Sequence, residues 1–274
     1  MPALRHTAMR WLNTLRSPFL RPRRFHAFGV GMAKTGTHSL AAMFRAHYRC
    51  AHEPEEYALT RQILDRAAGR SSAAAVERYL VEADRRLKLE LNVSLLNYFV
   101  LPSLLELFGE ARFILTVRPP LEWLDSMINQ QLGRPAPPHW RQLRDLRFEV
   151  AGGFPAAERA LESRGLYPLE GYLGYWARHN REVVRGVPGD RLLVIETSRL
   201  GQSADRLAAF LGVPEVSLDT RGLHAFAAVR RYGVLSQIDP AYLGETAERL
   251  CGDVARLCGV GLGTLSPVEQ AAHA

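Results

Sequence analysis

Four short stretches rich in apolar residues punctuate the chain: FHAFGVG (25–31), RLKLELN (86–92), ARFILTVR (111–118) and RLLVIET (191–197). They read as strands of a sheet covered on both faces. Around them apolar positions recur at helical spacing over 38–47, 56–86, 93–108, 119–132, 170–186, 203–211 and 240–258. Strands alternating with helices predict an α/β protein with three layers, α/β/α, around a central parallel sheet. The stretch GRPAPPHWRQ (133–142), with three prolines, reads as a surface loop or lid.

Composition changes this picture little: 274 residues, 47% hydrophobic and 23% charged, describe an ordinary globular protein with a sizeable core. Charge changes it more, because six arginines and no acid fall within residues 1–24. Removing those six from the net +7 leaves +1 for the rest. The body is nearly neutral, so bulk charge does not argue for nucleic acid. The chain therefore divides into a basic amphipathic arm, 1–24, and a single domain, 25–274. On the arm Leu4, Ala8, Trp11, Leu12 and Leu15 share a helical face, the pattern of a segment lying on an anionic membrane surface or packed on the body. It has no apolar run long enough for a signal peptide or a membrane span. Cys50, Cys251 and Cys258 have neither metal nor disulfide spacing, which fits a reducing, cytoplasmic compartment.

The chemistry begins at GVGMAKTGTHSL (29–40). A strand ending near Gly31, a turn with three glycines and a helix starting near His38 make an anion site from helix N–H groups and the helix dipole. Lys34, Thr35, Thr37, His38 and Ser39 add a charge and further donors. Lys34 precedes Gly36, whereas the ATP/GTP loop carries its lysine after the last glycine, so that loop is not matched. A second anion signal is FILTVRPPLEWLDS (113–126), in which Arg118 ends a strand and Ser126 follows eight residues later.

Together GMAKTGTHSL and FILTVRPPLEWLDS resemble the sulfotransferases that use 3′-phosphoadenosine 5′-phosphosulfate (PAPS). The resemblance extends over about 25–212 and implies their P-loop NTPase-like fold. It implies that Lys34 bridges the sulfuryl group and the 5′-phosphate, that Thr35, Gly36, Thr37 and His38 donate to the 5′-phosphate, and that Arg118 and Ser126 hold the 3′-phosphate. Ala33 replaces the family's proline and His38 its Thr or Ser, and its aromatic after the loop is absent. The family's late R-K-G motif is missing too; Arg230, Arg231 and Gly233 in AVRRYGVLSQ lie at the corresponding place, with Arg231 expected at the 3′-phosphate.

Sulfuryl transfer needs a base for the acceptor's proton. HYRCAHEPEEY (47–57) resembles the context of the catalytic glutamate in protein-tyrosine sulfotransferases, which points to Glu53, with His52 and Glu90 as alternatives. Trp140 in the proline-rich stretch is a candidate to line an acceptor pocket. These readings give direct transfer from PAPS to a hydroxyl or amine of a small molecule, lipid or sugar, with PAP as product and no metal. They also favour a bacterial source. Two other classes stay open: a nucleotide-dependent kinase with Glu196 as Mg²⁺ ligand, and a protein that binds PAP or phosphate without catalysis.

Overall fold

The computed structural model describes residues 22–221 and 231–265. Its sheet has five strands, β1 (Ala27–Gly29), β2 (Cys50–His52), β3 (Leu91–Val93), β4 (Arg112–Val117) and β5 (Leu192–Glu196), ordered β2-β3-β1-β4-β5. Every neighbouring pair is parallel. All carboxyl ends therefore lie along one edge, where ligands of open α/β sheets collect.

Alternation along the strands separates two cores, because successive strand side chains point to opposite faces. From β4, Ile114 faces one way, into a cluster with Leu40 and Phe44 of α1 (Thr37–Arg45) and Leu207 and Leu211 of α9 (Ala204–Leu211). Phe113, Leu115 and Val117 face the other way, into a larger cluster. That layer is built from α2 (Glu56–Ala67), α3 (Ala73–Leu87), α4 (Leu101–Leu107), α5 (Pro120–Gly133) and α6 (Pro138–Phe148). It is completed by α7 (Arg159–Glu162), α8 (Leu169–Gly186) and α10 (Pro240–Leu257). Trp123 of α5 and Tyr172 and Trp176 of α8 are fully buried in it.

Several boundaries differ from the sequence pattern. The helical run 56–86 is two helices, broken where Gly69 adopts φ 72° and the Ser72 hydroxyl caps α3 by accepting from the Ala75 N–H. The stretch 93–108 starts as a 3₁₀ turn, Leu95–Val100, before α4. β2 was not predicted, since a three-residue, half-buried edge strand has no periodicity to read. The proline-rich stretch is not a loop throughout: Pro138 opens α6, where a missing N–H costs nothing.

The strand expected at 86–92 begins only at Leu91, because α3 continues to Leu87 and Lys88 turns the chain at φ 48°. Glu90 thereby moves to the amino end of β3, away from the carboxyl edge. It is 1% exposed and accepts from Arg24 Nε at 2.9 Å and from the Arg49 N–H at 2.9 Å. Its carboxyl is held below the usual range by those donors against the opposing effect of burial, which is the largest single influence. Glu90 is an ion-pair residue of the fold and is removed as a candidate base.

Most of the arm lies outside the described residues. Its last residues dock on the body: Arg23 Nη2 meets Asp84 Oδ1 at 2.6 Å, and the Arg24 guanidinium covers the Tyr48 ring at 4.0 Å. No described helix is long and apolar enough to cross a membrane.

Candidate active site

The turn after β1 is held by its carbonyls. His179 Nε2 donates to Val30 O (2.8 Å), Thr35 Oγ1 to Met32 O (2.7 Å), Trp123 Nε1 to Ala33 O (2.9 Å) and Thr197 Oγ1 to Thr35 O (2.8 Å). With these carbonyls engaged from within the protein, the loop is suited to an anion nest, in which backbone N–H groups hold the ligand. Lys34 and Gly36 take left-handed conformations, φ 70° and 85°, and Gly36 starts α1, whose first N–H groups have no intrahelical acceptor. Gly31 is required by close approach, since a Cβ there would stand 2.1 Å from Thr116 Oγ1.

Thr35 departs from the role implied by the resemblance. Its side chain is fully buried, its hydroxyl also pairs with Thr116 Oγ1 at 2.9 Å, and its N–H points to Met32 O at 3.3 Å. It fastens the loop from beneath and offers the cleft neither group. Thr37 remains at the helix start, its hydroxyl 3.0 Å from His52 Nε2. His52 in turn stacks on His38, with centroids 3.7 Å apart. Burial, then the charges of His38 and Arg45, lower the His52 imidazole to about 4, so it is neutral near pH 7.

Cations gather around the loop. Burial, then Arg118 and Arg134, push the Lys34 ammonium below its ordinary range. Arg118 follows β4 directly; its carbonyl accepts from Trp176 Nε1 at 3.0 Å, and its guanidinium Nε lies 3.5 Å from Glu122 Oε2. Ser126 is buried on α5. One turn on, Asn129 Oδ1 accepts the Tyr232 N–H at 2.8 Å, while Asn129 Nδ2 is buried with no hydrogen-bond partner among the described residues. Tyr232, next to Arg231 in sequence, is thereby fastened to α5. Arg230 lies outside the described residues.

Glu53 stands just past β2, at φ 51°. Its carboxylate accepts from the Ser94 hydroxyl and from the Leu95 N–H at 3.0 Å, so two strand ends fix its orientation. Each oxygen keeps a lone pair for a further proton donor. Burial raises its proton affinity above the ordinary carboxylate range, and the hydrogen bonds from Ser94 and Leu95 restrain the rise. Trp140, on α6, is partly buried and packs against the larger core. Glu196 is engaged by the Ser198 hydroxyl at 2.6 Å and by Arg199 at 3.5 Å. Among the described residues no three His, Cys, Asp or Glu side chains are grouped to hold a metal ion.

The pattern of the sequence did not reveal the loop's fasteners, Trp123, His179 and Thr197, nor Trp176, Asn129 and Arg134. Trp123, Trp176 and His179 look like ordinary helical core positions until the fold brings them under the loops. Asn129 had the one available signal, its place three residues after Ser126 on the same helical face.

Among solved structures, the chain aligns with sulfotransferase STF9 from Mycobacterium avium at 13% identity and TM-score 0.51, over 93% of this chain and 82% of that one. A sulfotransferase from Alicyclobacillus acidocaldarius aligns at 17% identity and TM-score 0.47, over 85% and 96% of the two chains. At 13% identity the likeness to STF9 concerns the fold alone. No curated protein sequence gives a significant match. The family description "Sulfotransferase domain" matches residues 26–219, most of the chain and every strand just described. With that match and a lysine-first anion loop at the carboxyl edge of a parallel sheet, the chain belongs to the sulfotransferase family.

Proposed function

We propose that this sulfotransferase takes PAPS as donor and moves its sulfuryl group to a hydroxyl or amine by direct in-line displacement. The observation that carries the reading is the convergence of Lys34, the loop that carries it and Arg118 at adjoining strand ends. Asn129 Nδ2, a buried donor beside Ser126 without a partner among the described residues, fits a further oxyanion there. The 3′-phosphate would be held by Arg118, Ser126, Asn129 and Arg231, and the 5′-phosphosulfate by Lys34, Thr37 and the N–H groups of Gly36, Thr37 and His38.

The acceptor oxygen or nitrogen attacks sulfur while the bond from sulfur to the bridging phosphate oxygen breaks. The electron pair of that bond leaves on PAP, beside the Lys34 ammonium, which counters the developing charge. Glu53 takes the acceptor's proton, and its raised proton affinity makes it a stronger base than an exposed glutamate. His52 is neutral and orients the Thr37 hydroxyl through Nε2.

Incubation with radiolabelled PAPS and a panel of hydroxyl and amine acceptors tests the reading, with product PAP measured. Glu53→Gln is expected to lower kcat about 10²-fold or more with PAP affinity kept. Acceptor-dependent turnover unchanged by Glu53→Gln would remove Glu53 as base. Phosphoryl transfer from ATP with Mg²⁺ in place of sulfuryl transfer would favour the kinase reading instead.

A further inference from the structure

A cavity of about 400 Å³ lies between the end of α5, the outer face of α6 and the turn before α8. Its wall includes Gln131, Arg141, Arg144, Asp145, Arg164 and Tyr167. Three guanidinium groups thus face one carboxylate, and that carboxylate is already engaged: Asp145 Oδ1 accepts from the Tyr167 hydroxyl at 2.5 Å.

Two donors on the wall are left over. Arg144 is half-buried and has no hydrogen-bond or ion-pair partner among the described residues. Gln131 Oε1 accepts from the Tyr172 hydroxyl at 2.5 Å, while its Nε2 is buried with no partner among the described residues. A buried amide without an acceptor costs about 1–3 kcal/mol, a cost that a ligand oxyanion in the cavity would remove. Arg141 and Arg164 each donate one bond to a nearby carbonyl, of Ala136 and Ala160, and a guanidinium has five N–H donors.

We propose that this cavity is an oxyanion subsite that takes a phosphate group esterified to the acceptor. The proposal rests on the sulfuryl-transfer reading and narrows its acceptor to an anionic alcohol. Its place supports this. The α5 end that carries Gln131 also carries Arg134, whose charge acts on Lys34. One turn along α6 from Arg144 lies Arg147, whose charge acts on Glu53.

The test is isothermal titration in two stages. PAP is titrated first and reads only the donor site. Glycerol 3-phosphate is then titrated into protein saturated with PAP, so the donor loop is blocked and only a second phosphate site responds. The expected result is saturable binding, weakened about tenfold or more by Arg144→Gln, and weakened also by Arg164→Gln, with PAP affinity unchanged in both. Arg164 is exposed, so its variant keeps the test valid should Arg144→Gln fold poorly. Failure of glycerol 3-phosphate to bind the PAP-loaded protein, or equal binding by the variants, overturns the subsite alone. Inorganic phosphate bound as tightly as the ester overturns its assignment to an esterified acceptor. Failure of PAP to bind overturns the donor reading instead, and glycerol 3-phosphate titrated without PAP, compared across the same variants, then reads the cavity by itself.

Discussion

The loop between β1 and α1 and the wall formed by α5 and α6 are finished differently. In the loop, the carbonyls of Val30, Met32, Ala33 and Thr35 each meet a donor from the fold, and Gly31 leaves no space for a methyl group. Along the wall, Asn129 Nδ2 and Gln131 Nε2 are buried donors without acceptors among the described residues, and Arg144 has no counter-ion among them in hydrogen-bond contact. Buried polar groups are ordinarily satisfied, so the contrast separates a preorganised surface from one that is completed by ligand. The loop needs its shape before the donor arrives; the wall gains its partners from what binds.

The contrast breaks hardest at Lys34. Lys34→Ala is expected to lower kcat for sulfuryl transfer by about 10²–10³-fold, since it removes charge stabilisation that matters most at the transition state. Urea unfolding of the same variant should match wild type; a large loss of stability would mean that Lys34 belongs to the scaffold and not to the chemistry. Gly31→Ala should do the reverse. Its Cβ would overlap Thr116 Oγ1, so a loss of about 1–3 kcal/mol in urea unfolding is expected together with weaker PAP binding. Stability equal to wild type would show that the loop is less tightly fastened than its hydrogen bonds imply.

A smaller effect concerns pH. His179 is fully buried, with Nε2 on Val30 O and Nδ1 against the Tyr175 hydroxyl, and burial lowers it to about 3; burial lowers His52 to about 4. Both are neutral in the fold where unfolded histidines, near 6.5, take up protons. Their stabilising share is therefore complete above about pH 6.5 and is lost as pH falls toward 4, at up to about 1.4 kcal/mol per pH unit for a group as buried as His179. Urea midpoints at pH 7, 6 and 5 should decline in wild type and decline less steeply in His52→Gln. Parallel declines would mean that His52 titrates in the fold as it does in the unfolded chain.

How much of this was legible follows the same division. The apolar stretches located four of five strands, and Gly29, Gly31, Lys34 and Gly36 announced an anion loop because that chemistry is local: consecutive residues, one turn, one helix start. Glu53 was reached through a resemblance, yet the strand that carries it was not, since Cys50–His52 owes its conformation to pairing with β3 and not to its own residues. Glu90 and Thr35 show the converse. An expected place at a strand end suggested Glu90 as a base and the resemblance suggested Thr35 as a phosphate donor, but Lys88 ending α3 moved one to the other end of its strand, and Thr116 drew the other's hydroxyl into the core. Trp123, Trp176 and His179 act from 58 to 149 residues away in sequence, a relation only the folded sheet creates. The wall around Gln131 and Arg144 depends likewise on a helix where three prolines pointed to a loop.

On the proposed function, Lys34 and Arg118 frame a PAPS site. Isothermal titration of wild type and Arg118→Ala with PAP, and separately with ATP plus Mg²⁺, tests it most directly. Micromolar or tighter PAP binding, much weaker ATP binding, and a loss of PAP affinity of about tenfold or more in Arg118→Ala are expected. Preferential binding of ATP, or PAP affinity unchanged by Arg118→Ala, would contradict it.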